Sequence, residues 1–468
     1  MPAMTAINPD ICRQARLARD ARFDGRFFTA VKTTGIYCRP ICAVVAPKER
    51  NVEYFATAVE AAARGYRPCL RCRPDSAPGS YAWKGVETTF ERAVHLIDQG
   101  ALMDSSLPAL AQRLGVTDRY LRKLFQQHIG LAPLTYASYQ QCLFAKQLLH
   151  QTSLTVTEVA FASGFNSLRR FTDCFKTHMG LTARQVRSAT QRADDRLLLK
   201  LSYRPPYAWE TLHQFLTVRC IEGLERIGDS GYGRTFAWHG ARGDFYASHD
   251  AANHQFLVEI RIDQMSQLMP VVRNIRRVLD LDADTTHIES HLQNAVPTLP
   301  LIEGLRLPGT WSVFEAGVRA ILGQQVSVAA AGNLTRLLVR QLGSKLVGEP
   351  AEEPQYLFPT AIAMAASDLA FLKMPQARRN TLREFARWYQ RMTPAQPSTN
   401  EQVEQWLAIK GIGRWTVDYA AMRGQSHPDI WLGGDLGVKR TVARFPAFDP
   451  AAASPWRSYL TLQLWNAS

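Results

Sequence analysis

The chain has 468 residues and a formal net charge of +14, with 55 Lys/Arg against 41 Asp/Glu. That length allows three or four domains with buried cores. The absence of any 18-residue apolar run argues against a membrane span, and the start MPAMTAINPD lacks the charged and apolar regions of a signal peptide. The charge is uneven: residues 1–200 hold 28 Lys/Arg against 16 Asp/Glu, while residues 201–468 hold 27 against 25. The basic excess of the first half suits a nucleic-acid surface, with a soluble basic protein as the alternative. Cys12, Cys142, Cys174 and Cys220 are scattered and read as reduced thiols. No cysteine follows Cys220, so the C-terminal half has no thiolates of its own for an iron–sulfur cluster.

In chain order, the first predicted feature is a group of four cysteines. TGIYCRPIC supplies Cys38 and Cys42, and GYRPCLRC supplies Cys69 and Cys72. Paired thiolates at these spacings can close a tetrahedral Zn2+ site, and zinc keeps a thiol in its nucleophilic thiolate form. Spacing alone leaves two readings open, a structural knuckle and a reactive centre. Residues 86–187 then read as helical. LPALAQRLGVTDRYLRKLF gives a short helix, a turn at Gly115 and a second helix capped by Thr117. LTVTEVAFASGFNSLRRFTDCFK repeats the plan with Gly164 and Ser167, an internal duplication of a helix-turn-helix. The second helices begin with Asp118, Arg119, Arg122 and Lys123, and with Asn166, Ser167, Arg169 and Arg170. Those side chains offer base-edge and phosphate donors at the end that enters a major groove. A plain helical bundle is the competing reading.

TQRADDRLL, at 190–198, reads as a polar linker. LERIGDSGYGRTFAWHG, GDFYASHD and HQFLVEIRI alternate as antiparallel strands with Gly-rich turns, and MSQLMPVVRNIRRVLDL reads as an amphipathic helix. This unit is α+β. From Trp311 onward the pattern is helical, with WSVFEAGVRAILGQQVSVAAAGNLTRLLVRQLG as one long stretch rich in Ala and Leu. In IKGIGRWTVD, Gly411 and Gly413 allow a tight turn between helices and close approach of backbone amides to a phosphate. A simple helix–helix turn explains the same pattern nearly as well. IWLGGDLGVKR places Asp435 at a turn before a helix.

Three resemblances follow from these motifs. DGRFFTAVKTTGIYCRPIC, KERNVEYF and AAARGYRPCLRCRPD, within residues 9–76, closely resemble the zinc domain of the Ada adaptive-response family. That resemblance implies that Cys38, Cys42, Cys69 and Cys72 hold one Zn2+. It also implies that Cys38 accepts a methyl group from a methylphosphotriester in DNA. Methylation removes negative charge beside DNA phosphates, so promoter binding should tighten. The tandem helix-turn-helix, AFASGFNSLRRFTDCFK above all, resembles AraC-type DNA-binding domains. Residues 198–468 resemble helix-hairpin-helix glycosylases of the AlkA type, the 3-methyladenine DNA glycosylases II, through PPYAW, ILGQQVSVAAA, GIGRWTVDYAAMRG and PWRSYLTLQLW. This match implies that Asp435 is the catalytic aspartate. It implies that Phe215, Trp415, Tyr419 and Trp465 line the base pocket. Gln325 takes the wedge position, where some relatives have leucine, and Gly411 and Gly413 form the hairpin against DNA. Relatives that also cut the strand carry a lysine where Trp415 stands, so a monofunctional glycosylase is expected. Lys410 stands where relatives often have proline, and Gly434 where some have a second acid.

The expected architecture is therefore multidomain. A small zinc α+β domain (1–80) precedes an all-α tandem helix-turn-helix domain (84–188). An α+β antiparallel-sheet domain (198–308) and an all-α helix-hairpin-helix glycosylase domain (309–468) follow. The expected function is a bifunctional response to alkylation, with a transcriptional regulator whose glycosylase half is an inactive clamp as the alternative. Expected partners are alkylated double-stranded DNA, promoter DNA and RNA polymerase, with no membrane, in the bacterial cytoplasm at the nucleoid. The P-C-H-R-V motif of an alkylguanine methyltransferase is absent from the sequence.

Overall fold

The computed structural model describes residues 8–20, 23–42, 44–69, 72, 89–98, 100–187, 197–346, 355–391, 400–445 and 449–467. The chain divides into two units, one built largely from residues before 196 and the other largely from residues after it.

The first unit opens with the helix Pro9–Ala18, whose first turn is capped by the Asn8 side chain. Four short strands follow: β1 (Phe28–Val31), β2 (Ile36–Cys38), β3 (Val52–Phe55) and β4 (Arg67–Pro68). They form a sheet of order β3-β1-β2-β4, antiparallel except for the parallel β2–β4 pair. Phe28, Ala30, Tyr37 and Ala61 make its small core. The parallel pairing positions the metal ligands. β2 ends on Cys38, β4 runs into Cys69, and the Cys69 amide donates to Tyr37 O at 2.9 Å.

The helical part repeats itself as the sequence predicts. Helices Leu107–Arg113 and Asp118–Ile129 flank Gly115, and helices Val156–Ala162 and Leu168–Met179 flank Gly164. Both glycines have positive φ, +69° and +80°, which a β-carbon would disfavour. Thr117 Oγ1 caps the Tyr120 amide at 3.2 Å, and Ser167 Oγ caps the Arg170 amide at 3.2 Å. Each second helix buries one stripe, Leu121, Phe125 and Ile129 in one and Phe171, Phe175 and Met179 in the other. The i, i+4, i+8 spacing leaves the opposite face to solvent.

The second unit contains a five-stranded antiparallel sheet: β5 (Leu197–Ser202), β6 (Glu225–Gly228), β7 (Gly231–Trp238), β8 (Ala241–Asp250) and β9 (Gln255–Ile262), in the order β5-β9-β8-β7-β6. β5 corrects the predicted linker. Leu197 and Leu198 already pair with Ile260 and Glu259, because the run LLLKLS is apolar enough to enter the sheet. Residues 188–196 of the linker region lie outside the described residues. The amphipathic stretch forms the helix Leu268–Val278.

The stretch from Trp311 is two helices rather than one, Val313–Leu322 and Val328–Leu342. Gly323 ends the first, and Ser327 Oγ caps the Ala330 amide to start the second. The first helix is buried almost all round and packs in a core with Leu338, Leu382, Phe385 and Trp406. Its one buried acid, Glu315, meets Arg234 of β7 in a bidentate pair at 3.0 and 2.8 Å and Arg319 at 2.7 Å. Arg319 in turn reaches Glu225 at 2.9 Å. Burial alone would raise the Glu315 pKa, but the two guanidiniums hold it below the ordinary value. Among the described residues no helix is long and apolar enough to cross a membrane.

Candidate functional site

Four sulfurs converge in the first unit. The Sγ atoms of Cys38, Cys42, Cys69 and Cys72 all lie within 4.8 Å of one another. A tetrahedral Zn2+ with thiolate bonds of about 2.3 Å needs S–S edges of about 3.8 Å, so the donor set and spacing fit that ion. Three of the cysteines are buried and Cys72 is half-buried. Ile36 and Val44 pack around them. Hydrogen bonds to Cys69 and Cys72, with burial added, hold the Cys38 thiol far above its ordinary pKa. A divalent cation relieves such crowding by taking all four sulfurs as thiolates. Arg39 organises the turn between Cys38 and Cys42. Its amide donates to Cys72 Sγ at 3.3 Å, and its guanidinium holds Asp24 in a two-point pair. Among the described residues Cys38 Sγ receives no backbone N–H.

Arg119, Arg122 and Lys123 are exposed in the first two turns of one second helix, Arg169 and Arg170 in the first turn of the other, and Asn166 is exposed just before it. Arg122 shares its charge with Asp118 at 3.6 Å. Such exposed i, i+4 pairs are weak and leave the arginine available.

In the second unit the structure brings together five residues singled out from the sequence. Asp435 caps the helix Leu436–Val442, and its Oδ1 accepts from the amides of Gly437 at 2.9 Å and Val438 at 3.3 Å. Two indoles complete its shell. Trp465 Nε1 donates to Oδ1 at 3.0 Å and Trp415 Nε1 donates to Oδ2 at 3.2 Å. Both carboxylate oxygens are thus held by N–H groups, and among the described residues no ion pair reaches them. Gly437 makes this possible, since a β-carbon there would lie 3.2 Å from both Asp435 Oδ1 and Trp465 Cδ1. Around the carboxylate, Trp415 stacks on Tyr419 with centroids 5.0 Å apart and planes 26° apart. Phe215, from the helix Trp209–Arg219, faces Trp465 with centroids 6.4 Å apart and planes 17° apart. All four aromatic side chains are half-buried, so none belongs to the closed core. Two near-parallel rings at that separation stand close to the roughly 7 Å that a sandwiched flat base requires.

Gln325 sits apart from this group, exposed on the loop between helices Val313–Leu322 and Val328–Leu342, at φ +57°. Its neighbour Gln324 fastens that loop to the hairpin: Nε2 donates to Gly411 O at 3.0 Å and to Thr416 Oγ1 at 3.1 Å. Gly411 has φ +92°, and a β-carbon would strike Thr381 Oγ1 at 2.3 Å. Gly413 is different. It is the N-cap of the helix Arg414–Gly424 without a side-chain cap, and a β-carbon there would meet nothing within 4 Å.

Sequence reasoning missed two arginines. Arg219 places its guanidinium carbon 3.8 Å from the Phe215 ring centroid, and Arg423 places its own 4.8 Å from the same ring. Arg423 Nη1 donates to Tyr419 Oη at 2.9 Å. The signal was present, since each arginine follows a predicted pocket aromatic by four residues, Phe215–Arg219 and Tyr419–Arg423.

Comparison with known proteins adds three family matches. Residues 11–75 match the metal binding domain of Ada, residues 110–189 a helix-turn-helix domain, and residues 198–312 the AlkA N-terminal domain. The chain is 35% identical to a Mycobacterium tuberculosis protein named "Probable bifunctional transcriptional activator/DNA repair enzyme AlkA", over 97% of this chain and 95% of that one. It is 34% identical to the Escherichia coli DNA-3-methyladenine glycosylase 2, over 57% of this chain and 95% of that one. It is 33% identical to the Escherichia coli bifunctional transcriptional activator/DNA repair enzyme Ada, over 40% of this chain and 51% of that one. The Ada match and the four gathered sulfurs together make one Zn2+ site. A fused Ada-type metal domain, a helix-turn-helix module and an AlkA-type half, matched from end to end, mean that the chain belongs to the family of bifunctional transcriptional activator/DNA repair enzymes of the AlkA type.

Proposed function

We propose that this chain is a bifunctional alkylation-response protein, with a methyl-accepting zinc domain and DNA-binding module in residues 1–188 and a monofunctional alkylbase DNA glycosylase in residues 198–468. The observation that carries the glycosylase reading is the Asp435 carboxylate, fixed through both oxygens by Trp415 and Trp465 among half-buried aromatic rings. Alkylation at N3 of adenine or N7 of guanine makes the base a cationic leaving group. As the C1′–N bond breaks, its electron pair goes to the base and positive charge builds on the deoxyribose. A preorganised carboxylate stabilises that charge and costs no reorganisation at the moment of reaction. Phe215, Trp415, Tyr419 and Trp465 hold the flipped, electron-poor base. Gln325 fills the gap left in the duplex, and the amides after Gly411 and Gly413 bind the backbone. Trp415 offers an indole rather than an amine, so no Schiff base forms.

In the first half, Zn2+ held by Cys38, Cys42, Cys69 and Cys72 keeps their sulfurs as thiolates. Cys38 Sγ attacks the methyl carbon of a methylphosphotriester. The S–C bond forms, the C–O bond breaks, and the electron pair stays on the phosphate oxygen. Support for Cys38 as acceptor is the match to the metal binding domain of Ada; the Arg39 amide on Cys72 argues only against Cys72. The methylated domain then binds promoter DNA more tightly and, through Arg119, Arg122, Arg169 and Arg170, presents RNA polymerase with a fixed partner at the nucleoid. The test measures free base released from methylated duplex DNA and methyl uptake from methylphosphotriester DNA. Release by wild type and not by Asp435→Asn, with uptake by wild type and not by Cys38→Ser, is the expected result. No base release from wild type would leave the second half as an inactive DNA clamp.

A further inference from the structure

Four N–H donors fix the Asp435 carboxylate, but none of them comes from the turn that delivers it. That turn is formed by Leu432, Gly433, Gly434 and Asp435, and is closed by the Asp435 amide donating to Leu432 O at 2.9 Å. Glycine loses more backbone freedom on ordering than any other residue, so a turn with two of them gives its neighbour little support. Neither glycine has a positive φ. Left-handed backbone is therefore not what calls for glycine here, and the two differ in the space around them. A β-carbon on Gly434 would meet nothing within 4 Å, whereas one on Gly433 would lie 2.4 Å from Trp431 Nε1 and 3.1 Å from Trp431 Cδ1 and Cε2. The five-membered ring of the Trp431 indole thus occupies the place of the missing side chain. Trp431 also has a fixed footing. Just before it, the Ile430 amide donates to Ser458 Oγ at 2.9 Å, and Asp429 holds Arg457 in a two-point pair at 2.6 and 2.9 Å. Arg457 and Ser458 begin the helix Arg457–Asn466, which also carries Trp465. One helix therefore reaches Asp435 by two routes, through the Trp465 indole to the carboxylate and through residues 429–431 to the turn.

We propose that Trp431 is a positioning residue for base release: its indole, seated on the Gly433 backbone, fixes the turn so that the Asp435 carboxylate stands at the sugar. This rests on the glycosylase reading above. Trp431 acts through Asp435 and touches neither base nor sugar. A reacting constellation keeps its geometry only where the residues behind it are themselves locked. The size of the effect follows from the distances. Ordinary contact with a β-carbon begins at 3.4 Å, against 2.4 Å to the indole here. Gly433→Ala therefore drives the turn and the indole apart by about 1 Å, and a misplacement of that size costs about 100-fold in rate. Trp431→Ala leaves the glycine turn without its stop and costs less, about 10-fold, because the four N–H donors remain. The two changes do not add. Once the indole is gone, the β-carbon of Gly433→Ala has nothing to strike.

The test is single-turnover release of 3-methyladenine by the full-length protein over a range of enzyme concentrations, which separates the maximal rate from the half-saturating concentration. The maximal rate should fall about 100-fold in Gly433→Ala and about 10-fold in Trp431→Ala. Trp431→Phe, which keeps a flat ring against the turn, should recover most of the second loss. Gly434→Ala should lose less than about threefold, as expected of a β-carbon in open space. The double variant Trp431→Ala/Gly433→Ala should be no slower than Trp431→Ala by itself, whereas independent effects would multiply to about 1000-fold. The half-saturating concentration should stay within about threefold of wild type in every variant, since positioning of Asp435 acts on the chemical step and not on binding. A normal rate in Trp431→Ala, losses that multiply in the double variant, or an equal loss in Gly434→Ala would overturn the proposal and leave the glycosylase reading intact. So would a change confined to the half-saturating concentration, which would make Trp431 a DNA contact. Wild type that releases no base would sink both.

Discussion

Replacing Asp435 by Asn isolates the charge of the carboxylate from its structural duty as a helix cap. Asparagine caps as well as aspartate does, and its Oδ1 can keep the Gly437 amide, the Val438 amide and the Trp465 indole, now at 2.9, 3.3 and 3.0 Å. The amide nitrogen then faces Trp415 Nε1, now 3.2 Å from Oδ2, and two donors confront each other. That single lost hydrogen bond should cost about 1–2 kcal/mol of stability. The chemistry loses more. A carboxylate about 4 Å from the developing sugar cation is worth about 4 kcal/mol at an effective dielectric of about 20. That corresponds to a rate loss of about 1000-fold. The assay is single-turnover release of 3-methyladenine with enzyme in excess, so that binding and product release do not mask the chemical step. Binding to undamaged duplex should change less than threefold, because the side chains Asp435 touches, Trp415 and Trp465, are assigned to the flipped base and not to the hairpin that binds the backbone. An Asp435→Asn protein that binds DNA normally and releases base within about fivefold of wild type would refute the reasoning, since the charge would then not be what stabilises the sugar.

Gly413→Ala should leave folding unchanged, because its β-carbon meets no atom within 4 Å. DNA affinity should still fall about tenfold in a fluorescence-anisotropy titration if the hairpin amides approach a phosphate closely. Glu315→Gln should cost about 2–3 kcal/mol in urea unfolding, because Arg234 and Arg319 lose one of the two carboxylates they share and keep only Glu225, at 3.5 and 2.9 Å. Nine of the ten tryptophans lie after residue 208, so tryptophan fluorescence reports this half of the chain. Asp280 gives the pH dependence. Burial pushes its carboxyl up to about 7, although Leu307 N and Tyr459 Oη each donate to it at 2.8 Å. The folded pKa lies above the unfolded value of about 3.9, so the folded state is favoured below that value and loses stability as pH rises toward 7. Asp280→Asn removes this loss, and its stability relative to wild type should increase by up to about 3 kcal/mol between pH 5 and pH 8. A constant difference across that range would show that Asp280 ionises normally. In the first half, Cys42→Ser should lower the zinc content below one ion per chain by atomic absorption while DNA release of 3-methyladenine stays unchanged.

Local elements are more legible in the sequence than the places where elements begin and end. The cysteine pairs, the two helix caps at Thr117 and Ser167 and the turn glycines are local signals, and local physics decides them. Leu197 and Leu198 look like linker because the preceding residues are charged, and their partners in β9 lie some sixty residues away, where no local pattern reveals them. The long helical stretch hid a break at Gly323–Ser327, because Gln324, Gln325 and Val326 are ordinary helix residues. Only the positive φ of Gln325 and the tie from Gln324 to Gly411 show that the loop is built. The residues that gather around Asp435 are legible in the sequence as a set of types, but not as a carboxylate bound by two indoles. That arrangement depends on Trp415 and Trp465 arriving from different helices. Arg219 escaped for a further reason: an arginine at a helix end is the ordinary complement of the helix dipole, so nothing marked it as more.

The two proposed chemistries differ in how often each can act, and this gives sense to their fusion. Asp435 ends a catalytic cycle as it began, as a carboxylate with the same four N–H donors, so one chain can clear many bases. Cys38 does not. The methyl of a thioether leaves only when a strong nucleophile attacks its carbon and expels the thiolate, and water is too weak for that, so each first half responds once. Its output therefore accumulates with the number of phosphates methylated, while the pocket continues to work at a rate set by the lesions that remain. The basic excess follows the same division. Residues 1–200 carry a surplus of twelve positive charges and residues 201–468 a surplus of two. A module that reads promoters by phosphate contact needs that surplus, and removing one negative charge at its metal site shifts its affinity. A pocket that selects by stacking, and by the placement of one carboxylate, does not need it.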